Sequence, residues 1–275
     1  MTLALVSDLL ACPVCAEGLR TADRVLRCGQ GHTFDVARQG YVSLLSGKNP
    51  HPGDTALMVQ ARERVQRSGV FAGTARAVRH ALPQKVRTLA DVGGGTGYYA
   101  AAVLAQQDRG RAVVLDSSKP ALQRAAQIHD RIAAVGCDIV ASLPIRTSVM
   151  DAIIVAFGPR NVDEFARILN VGGVAIMVTP EPDHLSEIAP AMGMLAVEPD
   201  KTARLDDQMC GMFDLVDRTQ LVERLLVSRD LAGDLAQMGP AGFHATPAQF
   251  TKRATRLAPV MTATLAVTVT TYQRR

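Results

Sequence analysis

The sequence has 275 residues, of which 48% are apolar and 20% charged, and its formal net charge is +4. This length predicts one main domain with an appendage, and the apolar content excludes a chain that is disordered throughout. No uncharged apolar run reaches the roughly 20 residues that span a bilayer, and residues 1–10 lack the basic segment of a signal peptide, so we expect a cytoplasmic enzyme.

The first fifty residues contain four metal-ligating side chains in two pairs. Cys12 and Cys15 form a CxxC pair, and Cys28 and His32 follow after twelve intervening residues. Three thiolates and one imidazole at this spacing are typical of a closed tetrahedral zinc site, which has no open position for catalysis. A redox CxxC is the alternative, and the two further ligands argue against it. We therefore predict a structural zinc module over residues 1–50.

The sequence also makes predictions for the segment between the two ligand pairs and for the two cysteines outside them. Residues 19–26 are predicted to form a short hairpin between the two ligand pairs. Cys137 and Cys210 stand alone in the sequence, so we predict that both are buried core thiols.

A Gly/Pro-rich linker is predicted next, followed by two helices. The linker covers residues 46–56, and Asp54 or Thr55 is expected to cap a helix over residues 56–67. A second helix is expected over residues 71–81. The sequence thus predicts three parts, which are a zinc module at 1–50, a linker with basic helices at 51–85 and a larger domain at 86–275.

Positive charge is concentrated in two segments. Residues 51–90 hold seven basic and two acidic side chains, and residues 251–275 hold five basic and no acidic ones. This distribution suits a polyanionic partner better than a neutral metabolite. A solvated helix face remains the alternative for each segment taken alone.

The pattern after residue 85 is typical of nucleoside binding. A strand over residues 86–92 leads into the glycine loop 93–97 and a helix over 98–106, and a second strand, 112–115, ends at Asp116. Such a loop brings backbone N–H groups close to a ligand, and an acid at the end of the second strand can accept both ribose hydroxyls. A P-loop is excluded because no GKS or GKT follows the glycines.

Alternating elements continue and predict an α/β fold with a doubly wound parallel sheet whose ligand lies at the carboxyl ends of the strands. The expected helices cover residues 119–129, 162–169, 184–189 and 246–257. One expected strand ends with residues 139–142, and two others cover 151–157 and 174–179. Residues 215–227 fit either a helix or a strand, and 265–272 predict an antiparallel edge strand.

These motifs carry a resemblance to a known family. DVGGGTG at 91–97, Asp116 with its SSK and LNVGG at 169–173 resemble class I S-adenosylmethionine-dependent methyltransferases. With CPVC at 12–15, the GYV segment and FGPRN, most of the chain resembles the large-subunit (23S) ribosomal RNA guanine-N1 methyltransferases. Since other members carry Cys and Glu where this chain has Gly94 and Thr96, the GGGTG form looks more like the branch associated with macrolide resistance, which modifies a domain II hairpin loop.

The resemblance also implies which residues bind the cofactor and the metal. Cys12, Cys15, Cys28 and His32 match the zinc ligands. Cofactor contacts are expected from the glycine loop and its neighbours, which are Phe71, Asp91, Gly93, Gly95, Thr96, Gly97, Asp116 and His184. Phe71 stands where relatives often have tyrosine, and Asp91 has the alternative role of holding the loop without touching the ligand.

The chemistry of guanine N1 predicts candidates for catalysis. N1 carries a proton at neutral pH, so it requires a base or stabilisation of the resulting anion, and its position on the pairing edge requires an unpaired or extruded nucleotide. Asn161 and Asp183 are the candidate catalytic residues, with Arg160 nearby in sequence. Tyr98 and Tyr99 are candidates for stacking on a base, with core packing as the alternative.

Three functions therefore compete. The preferred one is methylation of a 23S rRNA hairpin loop, with zinc and S-adenosylmethionine bound and with the zinc module selecting the RNA. The alternatives are a small-molecule methyltransferase of the same fold and a non-catalytic zinc RNA-binding protein. A second copy of the chain is a further candidate partner, and no membrane partner is expected.

Overall fold

A computed structural model describes residues 2–45 and 53–275 of the chain. Within that part, the helices are α1 Ala56–Arg67, α2 Ala72–Ala81, α3 Tyr98–Leu104, α4 Lys119–Ile128, α5 Val162–Ile168, α6 Ala189–Met192, α7 Lys201–Met209, α8 Arg229–Gln237 and α9 Pro247–Ala254. The strands are β1 Leu19–Ala22, β2 Val25–Cys28, β3 Thr33–Asp35, β4 Val42–Ser43, β5 Thr88–Val92, β6 Arg111–Asp116, β7 Ile132–Gly136, β8 Met150–Ala156, β9 Leu169–Pro180, β10 Phe213–Ser228 and β11 Val260–Arg274. Short 3-10 helices cover Thr2–Leu5, Ser7–Leu9 and Pro240–Phe243. No helix among these residues is both long enough and apolar enough to cross a bilayer.

The described residues form an eight-stranded sheet at the centre of the molecule, in the order β10-β11-β9-β8-β5-β6-β7-β4. The strands from β9 to β4 run parallel to one another, and β11 and β10 are added antiparallel at one side. The strand order reverses beside β5, which is where ligands bind in open α/β sheets. The predicted doubly wound fold is therefore confirmed.

Both faces of the sheet are covered, because its strands alternate buried side chains between two apolar clusters. On β5, for example, Ala90 and Val92 join one cluster and Leu89 joins the other. Helices α2, α3 and α4 cover the Leu89 face, through side chains such as Val103. The opposite face is covered by α5, α7 and the N-terminal residues, since Leu3 belongs to its cluster. This two-sided burial explains why the central strands are near-continuous apolar runs.

The N-terminal residues form a small three-stranded antiparallel sheet, β1-β2-β3, that is joined to the main fold. The predicted hairpin over residues 19–26 is confirmed, with Leu19 paired with Cys28 and Ala22 paired with Val25. Strand β4 pairs in parallel with β7 at the edge of the main sheet. The division into 1–50, 51–85 and 86–275 stays a prediction, and residues 46–52 of the expected linker lie outside the described residues.

A helical cap lies over α1, and of its elements the sequence predicted the last helix, over residues 246–257. Its elements are α8, the 3-10 helix Pro240–Phe243 and α9, which all lie between β10 and β11 in the chain. Val65 of α1 and Leu235 of α8 belong to one apolar cluster with Phe250 of α9. A Cβ at Gly242 would lie 2.1 Å from the Gln237 carbonyl oxygen, so this turn of the cap requires glycine.

Several local expectations are corrected by the structure. The third strand is β7, whereas residues 139–142 are turns after it, because Asp138 Oδ1 accepts a hydrogen bond from Val140 N. Residues 184–188 are turns rather than a helix, and β11 is an inner strand because β10 pairs along its outer side.

Two further expectations are settled by tertiary contacts. Residues 215–227 are strand, within β10. Thr55, not Asp54, caps α1 by accepting a hydrogen bond from Met58 N. Cys137 is buried as expected, but Cys210 is exposed, so its prediction as a core thiol was wrong.

Candidate cofactor cleft and metal centre

The glycine loop between β5 and α3 has the backbone that its sequence predicts. Gly93, Gly95 and Gly97 have φ angles of 68°, 56° and 80°, in the left-handed region that favours glycine. The Gly93 N–H donates to the Leu115 carbonyl at 2.8 Å, which holds the loop against the end of β6. The loop therefore presents its backbone at the carboxyl edge of the sheet.

Asp116 lies at the end of β6 and braces the same loop. One carboxylate oxygen accepts from Gly95 N at 2.9 Å and the other from Ser118 N at 2.8 Å. Burial raises the pKa of Asp116, while these two backbone hydrogen bonds lower it. Each oxygen retains a lone pair, so the carboxylate can still accept from ligand hydroxyls.

Asp91 lies beneath the loop. The residue is fully buried, and its Oδ2 accepts a hydrogen bond from Ala100 N at 3.2 Å. Burial raises the pKa of Asp91 to about 7, and the nearby Asp116 charge adds to this effect. This position supports the role of holding the loop, and a direct cofactor contact by Asp91 stays a prediction.

Three aromatic rings from distant parts of the chain meet beside the loop. The ring centroids of Phe71 and Phe157 lie 5.8 Å apart in an edge-to-face arrangement, and those of Phe157 and His184 also lie 5.8 Å apart. Two of these residues were expected to contact the cofactor, and the structure brings them together through Phe157. We did not single out Phe157 from the sequence.

Phe157 has an unusual backbone for an aromatic residue. Its φ is 59°, in the left-handed region, at the point where the chain leaves β8. Strain of this kind clusters at functional sites. The FGPRN segment that carries the family resemblance begins at this residue, which was the available signal for it.

His184 is held in one tautomer. Its Nδ1 lies 3.0 Å from the Ala266 carbonyl oxygen, which can only accept, so Nδ1 carries the proton. Burial lowers the pKa of His184 to about 4. The ring is therefore neutral at physiological pH and presents Nε2 as an acceptor.

Helix α1 and Asp54, which precedes it, cover the cleft beside the glycine loop. Gln66 Oε1 accepts a hydrogen bond from Thr96 Oγ1 at 2.9 Å, and Ser118 Oγ donates to the Asp54 carbonyl at 2.6 Å. A cavity of about 40 Å³ remains beneath, lined by Arg62, Gln66, Phe71, Gly93, Gly94, Tyr98, Tyr99, Ala156, Phe157 and Met238. This is roughly the space of one water molecule, so lining side chains must move before a larger ligand enters.

The candidate catalytic residues lie on two loops at this edge, and the structure does not bring their side chains into contact. Asn161 Nδ2 donates to the Ala141 carbonyl at 2.8 Å, which braces the loop after β7. Asp183 is exposed in the turn that contains His184. Burial lowers the pKa of Arg160. Catalytic roles for Asn161 and Asp183 stay predictions.

Both adjacent tyrosines line the cavity, but Tyr99 is buried and Tyr98 is only half-buried. Their rings meet edge to face at 5.2 Å. Tyr99 therefore packs in the core, and Tyr98 is the more accessible candidate for contacting a ligand.

The four predicted zinc ligands converge on one point. Their ligand atoms all lie within 4.8 Å of one another. Cys15 Sγ and Cys28 Sγ are 3.7 Å apart, and His32 Nδ1 lies 3.7 Å from Cys12 Sγ and 3.3 Å from Cys28 Sγ. Ligands at about 2.3 Å from a tetrahedral zinc ion are about 3.8 Å apart, so the cluster fits zinc.

The two ligand-bearing turns are shaped by tight backbone hydrogen bonds. Ala16 N donates to the Cys12 carbonyl at 2.8 Å, and Gly31 N donates to the Cys28 carbonyl at 3.1 Å. Gly31 has a φ of 85°, so glycine is required there, whereas Gly29 has no such angle. Cys12 and Cys28 are buried, which ties the cluster to the core of the protein.

Comparison with known proteins assigns the chain to a family. Residues 10–50 match the model of the RlmA N-terminal zinc ribbon. Over 95% of both chains, the sequence is 40% identical to the 23S rRNA (guanine(748)-N(1))-methyltransferase of Streptomyces fradiae. It is 39% identical to a Micromonospora griseorubida protein provisionally named 23S rRNA (guanine-N(1)-)-methyltransferase, over 96% of this chain and 97% of that one.

The fold is similar to that of solved methyltransferase structures. A chain of the Haloferax volcanii complex between the Trm112 methyltransferase activator and a methyltransferase has a TM-score of 0.51 and 16% identity, covering 83% of this chain and 99% of that one. At this identity the likeness establishes the class I methyltransferase fold alone. The two full-length relatives show that the chain belongs to the family of 23S rRNA (guanine-N1)-methyltransferases.

Proposed function

We propose that the chain transfers the methyl group of S-adenosylmethionine to N1 of a guanine in a hairpin loop of 23S rRNA domain II. The observation that carries this proposal is the 40% identity, over 95% of both chains, with an enzyme named for that reaction. The glycine loop and Asp116 support it, because both features suit a nucleoside cofactor without a pyrophosphate.

The cofactor residues act by position and by hydrogen bonding. Asp116 accepts from the ribose hydroxyls, and the loop backbone at Gly95 and Thr96 lies alongside the nucleoside. Ile139, whose Cδ1 would lie 3.1 Å from a Cβ at Gly93, offers an apolar side chain beside the loop. S-adenosylmethionine supplies an activated sulfonium methyl group, so the main task of the protein is in-line alignment.

Phe157 and His184 face the incoming base in this proposal. The exposed fraction of Phe157 is 41%, which leaves ring surface for an extruded guanine to stack on. Neutral His184 presents Nε2 as a hydrogen-bond acceptor. Asp183, beside it in the chain, is the carboxylate that we assign to proton removal.

The zinc module grips the RNA in this proposal. Zinc, held by Cys12, Cys15, Cys28 and His32, would cross-link two turns and leave no position for catalysis. Arg20 and Arg27 are exposed and stand directly opposite each other on β1 and β2. Neither has an ion-pair partner among the described residues. Two like charges opposite each other destabilise a hairpin, and a phosphate between them would offset this cost.

Two of the seven basic residues at 51–90, both on α1, are already paired within the protein. Arg62 forms an ion pair with Asp54, and Arg64 forms one with Asp234. The ribbon arginines are therefore better candidates for RNA contact than the first helix, which refines the expectation from composition.

The test is to methylate 23S rRNA with the purified enzyme and S-adenosylmethionine. A methyl group on N1 blocks pairing, so reverse transcription should stop one nucleotide before the modified guanine, and guanine 748 is the first position to inspect. Macrolide susceptibility of cells that express the enzyme then tests the proposed link to resistance. Cofactor binding without any methylated rRNA would favour a small-molecule methyltransferase, and absence of cofactor binding would favour a non-catalytic RNA-binding protein.

A further inference from the structure

Arg62 is the single cation among the described residues that line the cavity beside the glycine loop. It projects from α1 toward the loop, since its Cδ lies 3.9 Å from the position of a Cβ on Gly95. The other lining groups are apolar or aromatic side chains, glycine backbone and the Gln66 amide. Any negatively charged part of a ligand in this cavity therefore meets Arg62.

The guanidinium of Arg62 is only partly satisfied. Nη2 donates to the Asp54 carboxylate and, at 2.8 Å, to the Met238 carbonyl. Nε is buried and has no hydrogen-bond partner within the described part of the chain. A buried N–H without an acceptor destabilises a protein, so the guanidinium retains donors for an acceptor that a ligand supplies.

The direction of the cofactor identifies that acceptor. In the proposed function, Asp116 at the end of β6 receives the ribose, and the adenine lies toward the residues after β7. The amino-acid end must then extend the other way, over the ends of β5 and β8. Four residues line the cavity at those two strand ends.

That lining consists of Gly93 and Gly94 after β5, and of Ala156 and Phe157 at the end of β8.

We propose that Arg62 binds the α-carboxylate at the amino-acid end of S-adenosylmethionine, through the guanidinium donors that are not engaged by Asp54 and Met238. This inference rests on the proposed function and extends it, because it names the group that selects the amino-acid portion of the cofactor. A charge-assisted hydrogen bond of this kind is stronger than a neutral one. The site thus prefers S-adenosylmethionine and S-adenosylhomocysteine over nucleosides without the amino-acid end.

Arg64 provides a matched control on the same helix. Both of its donors, Nε and Nη2, bond the Asp234 carboxylate at 2.8 and 2.6 Å on the outside of α1. Its side chain is absent from the lining of the cavity. A substitution at Arg64 changes the charge of the helix by the same amount without touching the cofactor cleft.

The experiment measures calorimetric affinities for two ligands, S-adenosylhomocysteine and 5′-methylthioadenosine, which lacks the amino-acid end. We expect Arg62→Gln to weaken S-adenosylhomocysteine binding at least tenfold and to change 5′-methylthioadenosine binding less than twofold. Arg62→Lys should restore part of the loss, and Arg64→Gln should change neither affinity. Unchanged 5′-methylthioadenosine binding also shows that the variant is folded.

Two results for Arg62→Gln would overturn the assignment. One is an equal loss of affinity for both ligands, and the other is an unchanged affinity for both. Failure of the cofactor assignment in the proposed function looks different, since the unmodified protein would then bind neither ligand. If the unmodified protein binds both ligands with the same affinity, the role of Arg62 fails while the cofactor assignment stands.

Discussion

Oδ2 of Asp116 accepts a hydrogen bond from Gly95 N at 2.9 Å, which joins the end of β6 to the loop that follows β5. The same carboxylate therefore shapes the loop and, in our proposal, receives the ribose. The contact spans 21 residues of sequence and depends on the parallel pairing of β5 with β6.

We expect Asp116→Asn to lower the affinity for S-adenosylhomocysteine at least tenfold. The amide offers one acceptor oxygen where the carboxylate offers two, so it cannot serve both backbone N–H groups and both ribose hydroxyls. Calorimetry measures the loss. Asp130→Asn is the control, because its side chain is 90% exposed on the surface. Unaltered affinity in Asp116→Asn would show that this carboxylate does not bind the cofactor.

Phe157 tests the proposed base platform. Replacement of Phe157 by Ala should lower the rate of rRNA methylation at least tenfold, because the stacking surface is lost, while Phe157→Tyr should retain most of it. Phe243→Ala is the control, since Phe243 is 45% exposed, close to the 41% of Phe157, but lies on the cap. Equal rates for the two alanine variants would contradict the platform.

Metal removal should destabilise the whole fold rather than the zinc module alone. Cys12 and Cys28 lie in the same apolar cluster as Leu115 of β6, so loss of the metal loosens one face of the sheet. We expect one zinc per chain by elemental analysis, loss of that zinc in Cys15→Ser, and a lower thermal midpoint.

The matched control for the metal is Cys210→Ser. Cys210 is exposed, and its Sγ donates to the Asp207 carbonyl at 3.2 Å, outside the zinc cluster. Its zinc content and thermal midpoint should equal those of the unmodified protein. Full zinc occupancy in Cys15→Ser would show that the metal is not held by this cluster.

Burial of Asp91 predicts a pH dependence of stability. Its pKa is raised to about 7 in the folded protein, from an ordinary value of 3.8. The folded state thus binds a proton that the unfolded state has released, and the free energy of unfolding falls as pH rises toward 7. Between pH 5.5 and 7 this amounts to about 2 kcal/mol.

Asp91→Asn isolates that contribution, since the amide oxygen can still accept from Ala100 N. Denaturant titrations at several pH values should show the unmodified protein losing stability relative to the variant up to about pH 7, with no further change above it. A constant difference across this window would mean that Asp91 does not titrate there.

The ribbon arginines predict a change in the salt dependence of RNA binding. Each phosphate contact contributes about 0.7–0.9 to the slope of log affinity against log salt. The double variant Arg20→Ala with Arg27→Ala should therefore lower that slope by about one to two. Arg64→Ala should leave it unchanged, because Arg64 is already paired with Asp234. An unaltered slope in the double variant would place the RNA elsewhere.

Much of the metal centre and of the glycine loop could be predicted because the determinants are close together in the chain. Cys12 with Cys15, and Cys28 with His32, each lie within one turn, so their spacing alone restricts the geometry. The strand, loop and helix from Thr88 to Leu104 are likewise contiguous. Local backbone preferences are strong there, and tertiary contacts reinforce them.

Contacts between distant segments set the limits of prediction. Phe157 was missed because its neighbours, Phe71 and His184, are far away in sequence. The strand over residues 139–142 was expected because its short apolar run fits a strand, yet the turn chemistry of Asp138 dominates. The exposure of Cys210 depends on where α7 ends relative to the sheet, which no local pattern records.

The sequence by itself determined the α/β fold, the donor set for zinc and the residue types of the nucleoside loop, because periodicity and short spacings encode those features. Only the tertiary structure decided that α1 and the cap close the cleft, that Arg62 faces the loop with an unbonded Nε, and that the zinc module shares a core with the sheet. Such features depend on contacts between segments as far apart in the chain as Arg62 and Met238. These contacts form because folding removes apolar surface from water, and no short stretch of sequence records which segments meet.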